Sequence, residues 1–466
     1  MSSCVKVKNL PSRSPHATPQ KDHHTGNTFD NPWPSKKKIG LGAALSARFG
    51  SNPERNYAPV PEGPNGTRSQ ELVNIRKPTW GAKEPDRMRA TWIGHASWML
   101  ETPTLPGAER GIRILCDPVF SERTSFSQWI GPKRYSPTPC TLEELPEVDV
   151  VLISHDHYDH LDLATVQHIY NKQKDRVHFL AGLNNAKWFV ANVGCQPHEA
   201  TDADWWDSFE VTVEDLGSVT LTCCPAQHAS GRNALHMNST LWCSWAISTQ
   251  EKSVYFAGDT AYQAEGTSSP CPAFSEIGEA LGPFDLALLP IGLMTPHSFM
   301  GGVHATPEQS IGIHKEIRAR TSLGMHYGTV RGGISAQYED VREPPRRWRV
   351  AAQKAGLWRG GGVEGDGSPV DLSEAGVGLC GESLQRGDRH NANKSRLQIL
   401  GRLLLCDDLL LPNSYQFYLL SLHPVWNYTT LLSPRSSGRR VADALHPALL
   451  AQPTSPRHLV AAALYL

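Results

Sequence analysis

Short apolar runs separated by turn residues fill the middle of the chain from about residue 89 onward. Runs of this length bounded by Gly, Pro, Asn, Asp or Ser are typical of β-strands. The pattern predicts strands at residues 89–93, 98–101, 112–116, 148–153, 177–181, 219–224, 241–248, 253–257 and 286–290.

Helical candidates lie between these strands. The pattern predicts helices at residues 161–174, 184–192, 306–320 and 345–355. The third begins with Thr306-Pro307-Glu308, which combines an N-cap residue, a proline at the first helical position and an acidic first turn. Because strands are followed by helices in both halves, we expect an α/β sandwich of two sheets covered by helices.

Both ends of the chain lack this pattern. Residues 1–88 are rich in Ser, Pro, Asn, Lys and Arg, which predicts an irregular, partly disordered N-terminal arm. Residues 381–466 hold Leu-rich clumps and many Arg residues without a sustained helical or strand period. We expect this segment to be a disordered or poorly packed tail, so the chemistry falls to one domain at residues 89–380.

Composition and charge exclude several classes of protein. The 45 Lys and Arg residues balance 46 Asp and Glu, so the chain lacks the basic character of a nucleic-acid binder. The ten cysteines include no Cys-x-x-Cys pair, which favours reduced thiols over a disulfide scaffold or a thiolate zinc site. No apolar run approaches the roughly 18 residues that a membrane-spanning helix needs.

These features predict an intracellular protein, either cytoplasmic or peripheral on an internal membrane. The first 21 residues contain Lys and Arg but neither Asp nor Glu. That bias is a feature of organelle transit peptides, so a mitochondrial location stays open.

One segment carries most of the candidate chemistry. The predicted strand 148–153 runs directly into a turn that contains His155, His157, Asp159 and His160. Three imidazoles and a carboxylate within six positions can converge on one point at the edge of a sheet, and these ligand types suit Zn, Fe or Mn. The alternative is a His-rich surface loop without a metal.

Three further candidates stand where other apolar runs end, namely His228, Asp259 and His326. Each alone is weak, because a single histidine at a strand end is more often structural and Gly-Asp-Thr is a common turn. Together with the His-x-His-x-Asp-His segment, they provide a complete ligand set for two metal ions.

The same residues resemble a known family. The spacing His155-x-His157-x-Asp159-His160, followed in order by His228, Asp259 and His326, is similar to the metallo-β-lactamase fold superfamily. Within it, the chain resembles the N-acylphosphatidylethanolamine-hydrolysing phospholipase D family over about residues 28–380. The resembling stretches are Thr91-Trp92-Ile93-Gly94-His95-Ala96-Ser97, Leu115-Cys116-Asp117-Pro118-Val119-Phe120-Ser121, Ile130-Gly131-Pro132-Lys133-Arg134, residues 151–162, Leu241-Trp242-Cys243-Ser244-Trp245 and Glu343-Pro344-Pro345.

This resemblance implies a four-layer αββα sandwich, with two mixed sheets covered by helices, and two zinc ions per chain. It assigns His155, His157 and His228 to the first zinc and Asp159, His160 and His326 to the second. Asp259 would bridge the two ions. The implied activity is phosphodiester hydrolysis by a metal-bridged hydroxide, which converts N-acylphosphatidylethanolamine into N-acylethanolamine and phosphatidic acid.

The resemblance also assigns roles near the substrate. It implies that Asp159 accepts a proton as well as binding metal, and that Tyr158 and His304 line the substrate end of the site. The alternatives are that Tyr158 packs over the turn and that His304 stands at the start of a helix. For His95 we expect a buried structural role, supporting the ligands, in preference to metal ligation.

The expected partners follow from the substrate class. We expect a phospholipid substrate, peripheral membrane contact and no nucleic acid, and the resemblance admits a homodimer. Two alternatives to the leading function stay open. One is a hydrolase of the same fold acting on another ester, thioester or phosphodiester, and the other is a non-catalytic lipid-binding or scaffold protein.

Overall fold

The computed structural model describes residues 4–16, 21–37, 41–50, 55, 60, 75–81, 87–233, 235–358 and 382–384. In chain order the strands are β1 (Val5–Leu10), β2 (His24–Thr25), β3 (Thr28–Phe29), β4 (Met88–Gly94), β5 (Ser97–Glu101), β6 (Arg113–Cys116), β7 (Val150–Leu152), β8 (His178–Gly182), β9 (Ala200–Ala203), β10 (Ser208–Val213), β11 (Gly217–Cys224), β12 (Ser244–Ser248), β13 (Ser253–Phe256), β14 (Leu286–Pro290), β15 (Thr321–Met325) and β16 (Glu382–Leu384). The α-helices are α1 (Leu41–Phe49), α2 (Leu163–Gln173), α3 (Ala186–Asn192), α4 (Ala273–Ala280), α5 (His297–Met300), α6 (Pro307–Glu316) and α7 (Glu343–Lys354).

Within the described residues, the strands form two seven-stranded sheets and one small hairpin of β2 and β3. The first sheet has the order β16-β4-β5-β6-β7-β8-β9, and it is antiparallel up to β6 and parallel from β6 to β9. The second has the order β1-β10-β11-β12-β13-β14-β15, and it is parallel only from β13 onward. Both sheets are therefore mixed, and their parallel strands end at shared edges.

The two sheets pack face to face over one core. Trp98 of the first sheet and Trp245 of the second, both fully buried, belong to the same hydrophobic cluster. On the outer face of the first sheet a second cluster contains Met99, the neighbour of Trp98, together with Ile169 of α2 and Phe189 of α3. Successive strand residues thus point to opposite faces, as the pleat requires.

Helices also cover the second sheet. Ile277 of α4 and Ile313 of α6 are fully buried, and Trp348 of α7 is almost fully buried in the same cluster. Each large apolar side chain removed from water contributes about 1.5–3 kcal/mol to the hydrophobic term. The predicted four-layer αββα sandwich is confirmed.

Helix α6 begins where the sequence predicts it. The Thr306 side chain accepts a hydrogen bond from the Gln309 amide at 3.2 Å, and the Gln309 side chain accepts one from the Thr306 amide at the same distance. This reciprocal capping satisfies two amides that the helix itself leaves without partners. The helix ends at Glu316 instead of residue 320, because Arg318 adopts a left-handed φ of 59° and the chain turns into β15.

The two chain ends differ in part from the predicted irregular segments. In the arm, β1 pairs antiparallel with β10, from Val5 opposite Val213 to Leu10 opposite Ser208. In the predicted tail, β16 pairs with β4. The rest of that tail, residue 381 and residues 385–466, lies outside the described residues. Among the described helices, none has the length and apolar character needed to cross a membrane.

Candidate metal centre

The His-rich segment follows β7 at the edge where the parallel strands end. β7 is buried along its whole length, and β6 lies beside it in parallel. The chain then turns tightly, since the amides of both His160 and Leu161 donate to the His157 carbonyl, at 3.1 and 2.8 Å. This turn brings the side chains of the segment to one side before α2 begins.

The first predicted ligand group comes from both sheets. His155 Nε2 lies 2.9 Å from His157 Nδ1, and His228 Nε2 lies 3.4 Å from the same atom. His228 follows β11 in the second sheet, whereas the other two follow β7 in the first. The structure therefore brings these three imidazoles together across the interface between the sheets, within 4.8 Å of one another.

The second predicted group is equally close. Asp159 Oδ2 lies 3.7 Å from Nε2 of His160 and 3.7 Å from Nε2 of His326, which follows β15. His95 joins this group, with ligand atoms of all four residues within 4.8 Å. His95 was assigned a supporting role from the sequence, and its Nε2 lies 2.9 Å from Asp159 Oδ2.

Asp259 lies between the two groups. Its Oδ2 is 3.0 Å from His326 Nε2 and 3.1 Å from His160 Nε2. The same oxygen is 3.9 Å from His155 Nε2 and 3.8 Å from His228 Nε2. One carboxylate thus faces imidazoles of both groups, which is the position a bridging ligand requires.

A glycine allows Asp259 to reach this position. Gly258 has a φ of 56°, and a Cβ at that residue would lie 2.3 Å from the Cβ of Ser154. An L side chain would therefore clash as well as strain the backbone. Only glycine lets the end of β13 approach the His-rich turn this closely.

Hydrogen bonds to residues outside the two ligand groups orient the imidazoles. Asp117, at the end of β6, accepts hydrogen bonds from the Ser154 amide, the Ser154 hydroxyl and His160 Nδ1, at 2.7, 2.6 and 2.7 Å. His228 Nδ1 donates to the Val303 carbonyl at 2.8 Å. Because these hydrogen bonds occupy Nδ1 of His160 and of His228, Nε2 of each ring is left to point into the site.

Several buried nitrogen and oxygen atoms at the centre make no hydrogen bond. Among the described residues, buried polar atoms without a hydrogen bond include Asp259 Oδ1, His304 Nδ1, His160 Nε2 and His326 Nε2, and the last two lie only within ion-pair distance of Asp259 Oδ2. Each such atom costs about 1–3 kcal/mol when nothing compensates it. Several of them aimed at one small region are explained by bound cations, so the residues fit a metal centre.

The pKa shifts of the histidines agree with a metal centre. Burial, reinforced by neighbouring imidazoles, lowers the pKa of His155 well below its usual value, and burial lowers that of His228 to about 3. These rings are neutral and able to donate a lone pair. Although burial opposes it, the charge of Asp259 raises the pKa of His326 to about 9, so without metal this ring holds a proton that a cation would displace.

The two predicted substrate residues lie at the same centre. His304 is buried, and its Nδ1 lies 3.8 Å from Asp259 Oδ2. Tyr158 is partly buried, its hydroxyl donates to the Arg232 carbonyl at 3.2 Å, and the Arg232 guanidinium lies 4.0 Å from its ring centroid. Tyr158 therefore packs against the loop that contains Arg232, and in the sequence it stands between the predicted ligands His157 and Asp159.

The N-terminal arm reaches the site. Asn31 Nδ2 donates to the backbone carbonyl of His228 at 2.7 Å. The arm is held near this point by the Asp204 carboxylate, which lies 2.7 Å from His23 Nε2 and 3.1 Å from Lys21 Nζ. Sequence reasoning assigned no role to Asn31 or Asp117. For Asp117 a signal existed, since it directly follows a predicted strand, as the ligand candidates do.

Comparison with known proteins gives the same class. The family model "Beta-lactamase superfamily domain" matches residues 112–327. The chain is 37% identical over 257 residues to "N-acyl-phosphatidylethanolamine-hydrolyzing phospholipase D 1" of Caenorhabditis elegans, covering 54% of this chain and 67% of that protein. It is 28% identical over 357 residues to "N-acyl-phosphatidylethanolamine-hydrolyzing phospholipase D, mitochondrial" of Saccharomyces cerevisiae, covering 71% of this chain and 72% of that one.

A solved structure was also matched, that of Igni18, a metallo hydrolase from Ignicoccus hospitalis, at 22% identity and a TM-score of 0.41. The match covers 64% of this chain and 97% of that structure. The chain spans 67% and 72% of the length of the two phospholipase D relatives named above.

The fold and the site together define a metal-dependent hydrolase of the metallo-β-lactamase superfamily. Within that superfamily, the chain belongs to the family of N-acylphosphatidylethanolamine-hydrolysing phospholipases D. The resemblance drawn from the sequence motifs is therefore confirmed at the level of the family.

Proposed function

We propose that the protein is a zinc-dependent phosphodiesterase of the phospholipase D type, which hydrolyses N-acylphosphatidylethanolamine to N-acylethanolamine and phosphatidic acid. The observation that carries the proposal is the position of Asp259 between two groups of imidazole and carboxylate ligands. Membership of a family whose named relatives hydrolyse this lipid supports the choice of substrate.

The ligand set suits two zinc ions. His155, His157 and His228 would hold one ion and Asp159, His160 and His326 the other, with Asp259 shared. A set of nitrogen and oxygen donors without thiolates is typical of catalytic sites. When bound, such ions lower the pKa of a water molecule toward 7 and polarise a phosphoryl oxygen.

The protein's own groups supply the rest of the reaction. Water adds its oxygen to phosphorus, the bond from phosphorus to the N-acylethanolamine oxygen breaks, and one proton passes to the leaving oxygen. Asp159, whose side chain is 23% exposed, would accept this proton from the attacking water and return it to the leaving oxygen. His304 presents a buried ring nitrogen without a hydrogen-bond partner beside Asp259 and would contact the phosphate.

The test uses the full-length chain, because β1 of the arm is part of the second sheet. Purified protein is supplied with zinc, bound metal is counted by atomic absorption, and vesicles containing N-acylphosphatidylethanolamine are added. We expect about two zinc ions per chain and release of N-acylethanolamine and phosphatidic acid in equal amounts.

A ligand variant and a matched control sharpen this test. His157→Ala should lower turnover by more than about 100-fold, since even residues that only support metal ligands cost 10–100-fold when replaced. His178→Ala removes another buried imidazole, which bonds Thr201 in the outer part of the first sheet, and should retain turnover. Two bound metals without turnover would favour another ester, thioester or phosphodiester substrate. Absence of bound metal would favour a lipid-binding or scaffold protein.

Membrane contact is proposed for one exposed segment, residues 123–133. It presents Phe126, Trp129 and Ile130 at 63, 90 and 52% exposure. Its sequence contains no Asp or Glu, and its two ends form a β-bridge between Arg123 and Lys133. Exposed aromatic and apolar side chains beside cations suit the surface of an anionic bilayer.

The start of this segment is close to the metal centre. Ser121, two residues before the segment, donates its amide hydrogen to the carboxylate of Asp162 at 2.9 Å, and Asp162 is two residues after His160. Sedimentation with anionic vesicles should be weakened in a Phe126→Ser, Trp129→Ser double variant. Val350→Ser, an exposed apolar position on α7, is the control and should leave it unchanged. Equal sedimentation of both variants would argue against this contact.

A further inference from the structure

His95 occupies an unusual backbone position. It lies in the turn between β4 and β5, where the strand register shifts, and its φ is 53°. For a residue other than glycine this left-handed conformation costs roughly 1–2 kcal/mol. Strain of this kind persists where the surroundings hold the residue firmly, and it is concentrated at functional sites.

Three hydrogen bonds hold the His95 backbone in place. Its amide donates to Thr329 Oγ1 at 2.7 Å, and its carbonyl accepts from Trp92 Nε1 at 2.8 Å and from the His326 amide at 3.0 Å. The last bond ties His95 directly to a residue of the second ligand group. The ring is 1% exposed, so both its position and its direction are fixed.

The His95 ring makes one hydrogen bond to a proposed metal ligand. His95 Nε2 lies 2.9 Å from Asp159 Oδ2, which is closer than either His160 or His326 comes to that oxygen. An ionised carboxylate has no hydrogen to donate, so Nε2 carries the hydrogen and His95 is the donor. A nitrogen that carries this hydrogen has no lone pair for a metal.

Asp159 is the ligand that needs such a partner. Its side chain is 23% exposed, whereas those of His160 and His326 are fully buried. Burial and the hydrogen bonds of their Nδ1 atoms, to Asp117 and to the Gly292 carbonyl, fix the two imidazoles, but a partly exposed carboxylate can rotate toward water. A fixed donor on its inner side removes that freedom.

We propose that His95 is a positioning residue, which keeps the Asp159 carboxylate turned toward the second metal by donating a hydrogen bond from Nε2. The inference rests on the proposed metal-dependent function and adds a residue that neither binds metal nor contacts substrate. We therefore expect the affinity for one of the two zinc ions to depend on the hydrogen bond from His95, which is not itself a ligand.

The test compares two replacements of His95 in the full-length protein. In His95→Gln the amide nitrogen lies the same number of bonds from Cβ as Nε2 does, so the donor is kept. In His95→Leu the volume is similar but the donor is lost. Both keep a Cβ at the left-handed position, so backbone strain is matched. His178→Leu, which replaces a buried histidine away from the metals, controls for loss of stability.

The readout is zinc affinity at each site, measured by competition with a chromophoric chelator. His95→Leu should weaken one zinc by about 10–100-fold and leave the other within a few-fold of wild type, because losses of this size follow the removal of partners to metal ligands. His95→Gln should restore most of the affinity. The unfolding midpoint of metal-free His95→Leu should fall no further than that of His178→Leu.

Several outcomes would overturn the inference. Wild-type affinity at both sites in His95→Leu would show that Asp159 needs no such partner. A loss in His95→Gln as large as in His95→Leu would show that the imidazole ring itself is required, as a ligand or by packing. If wild-type protein binds no zinc, the proposed function fails as a whole. Two bound zinc ions without turnover of the lipid would refute the substrate while leaving this measurement valid.

Discussion

Replacing Asp117 by Asn should weaken metal binding without altering any proposed ligand. The carboxylate accepts three hydrogen bonds, two from Ser154 and one from His160 Nδ1, all between 2.6 and 2.7 Å. An amide of the same shape has only one oxygen. Whichever way it is turned, at least one bond is lost and an N–H group faces another donor.

The size of the effect follows from those contacts. A hydrogen bond to a charged acceptor contributes about 1.5–3 kcal/mol. Loss of one such bond around a metal ligand corresponds to roughly 10–100-fold in metal affinity, or about 1.4–2.7 kcal/mol. We therefore expect zinc affinity in Asp117→Asn to fall within this range, since His160 is no longer held in one tautomer and orientation.

The assay is zinc competition against a chelator, with Asp149→Asn as the control. Asp149 is a buried carboxylate at the opposite end of β7, where it accepts two hydrogen bonds from Arg110, at 2.7 and 2.9 Å. Its replacement should lower the unfolding midpoint but leave zinc affinity unchanged. The reasoning is refuted if Asp117→Asn binds zinc as tightly as wild type, or if Asp149→Asn weakens zinc equally.

Three further predictions concern the arm and the metals. Burial raises the pKa of Asp204, but the hydrogen bond and charge of His23 and the hydrogen bond from Lys21 outweigh it and hold that pKa well below its usual value. The ionised Asp204 carboxylate therefore stabilises the fold above its unfolded pKa of about 3.9, and this stabilisation is lost as the pH falls below that value. In Asp204→Asn, the free energy of unfolding from urea titrations should fall less steeply between about pH 5 and 2 than in wild type. An unchanged slope would contradict this prediction. Asn31→Ala leaves the His228 carbonyl without its arm donor, which should cost about 1–3 kcal/mol in unfolding free energy and weaken zinc at the first group, whereas Asn9→Ala on β1 serves as a control from the same arm and should leave zinc affinity intact. Removing metal with a chelator should lower the unfolding midpoint reversibly, since a ligand at 100 times its Kd contributes about 2.7 kcal/mol; a midpoint insensitive to both chelator and added zinc would contradict the metal assignment.

The parts of the fold that the sequence predicts well are those with strong local signals. Strands 98–101, 219–224 and 286–290 are bounded close to the observed β5, β11 and β14, because apolar runs between turn residues are unambiguous there. Strand β1 was missed, although Val5 and Val7 alternate with Lys6 and Lys8 as an edge strand does. Its many flanking prolines and polar residues favoured an irregular interpretation.

The metal centre shows the same division. His155, His157, Asp159 and His160 are adjacent in sequence, so their convergence is a local property of one turn. The distance from His326 to Asp259 depends on which strands are neighbours, and only the resemblance to a family supplied that. Asp117 acts through hydrogen bonds to Ser154 and His160, and Asn31 through one to a backbone carbonyl. The place of Asp117 directly after a predicted strand is a signal in the sequence, but the partners in these bonds cannot be predicted from it.

The docking of β1 also has a consequence for synthesis of the chain. Its partner β10 lies about 200 residues further along, and the last predicted ligand, His326, lies more than 100 residues beyond that. At translation rates of 5–20 residues per second, β1 waits on the order of 10–40 s before its partner exists. During this interval the arm and the open edge of the growing sheet are exposed to chaperones and to other chains. Metal loading comes later still, so it is expected to be one of the final steps in the maturation of this enzyme.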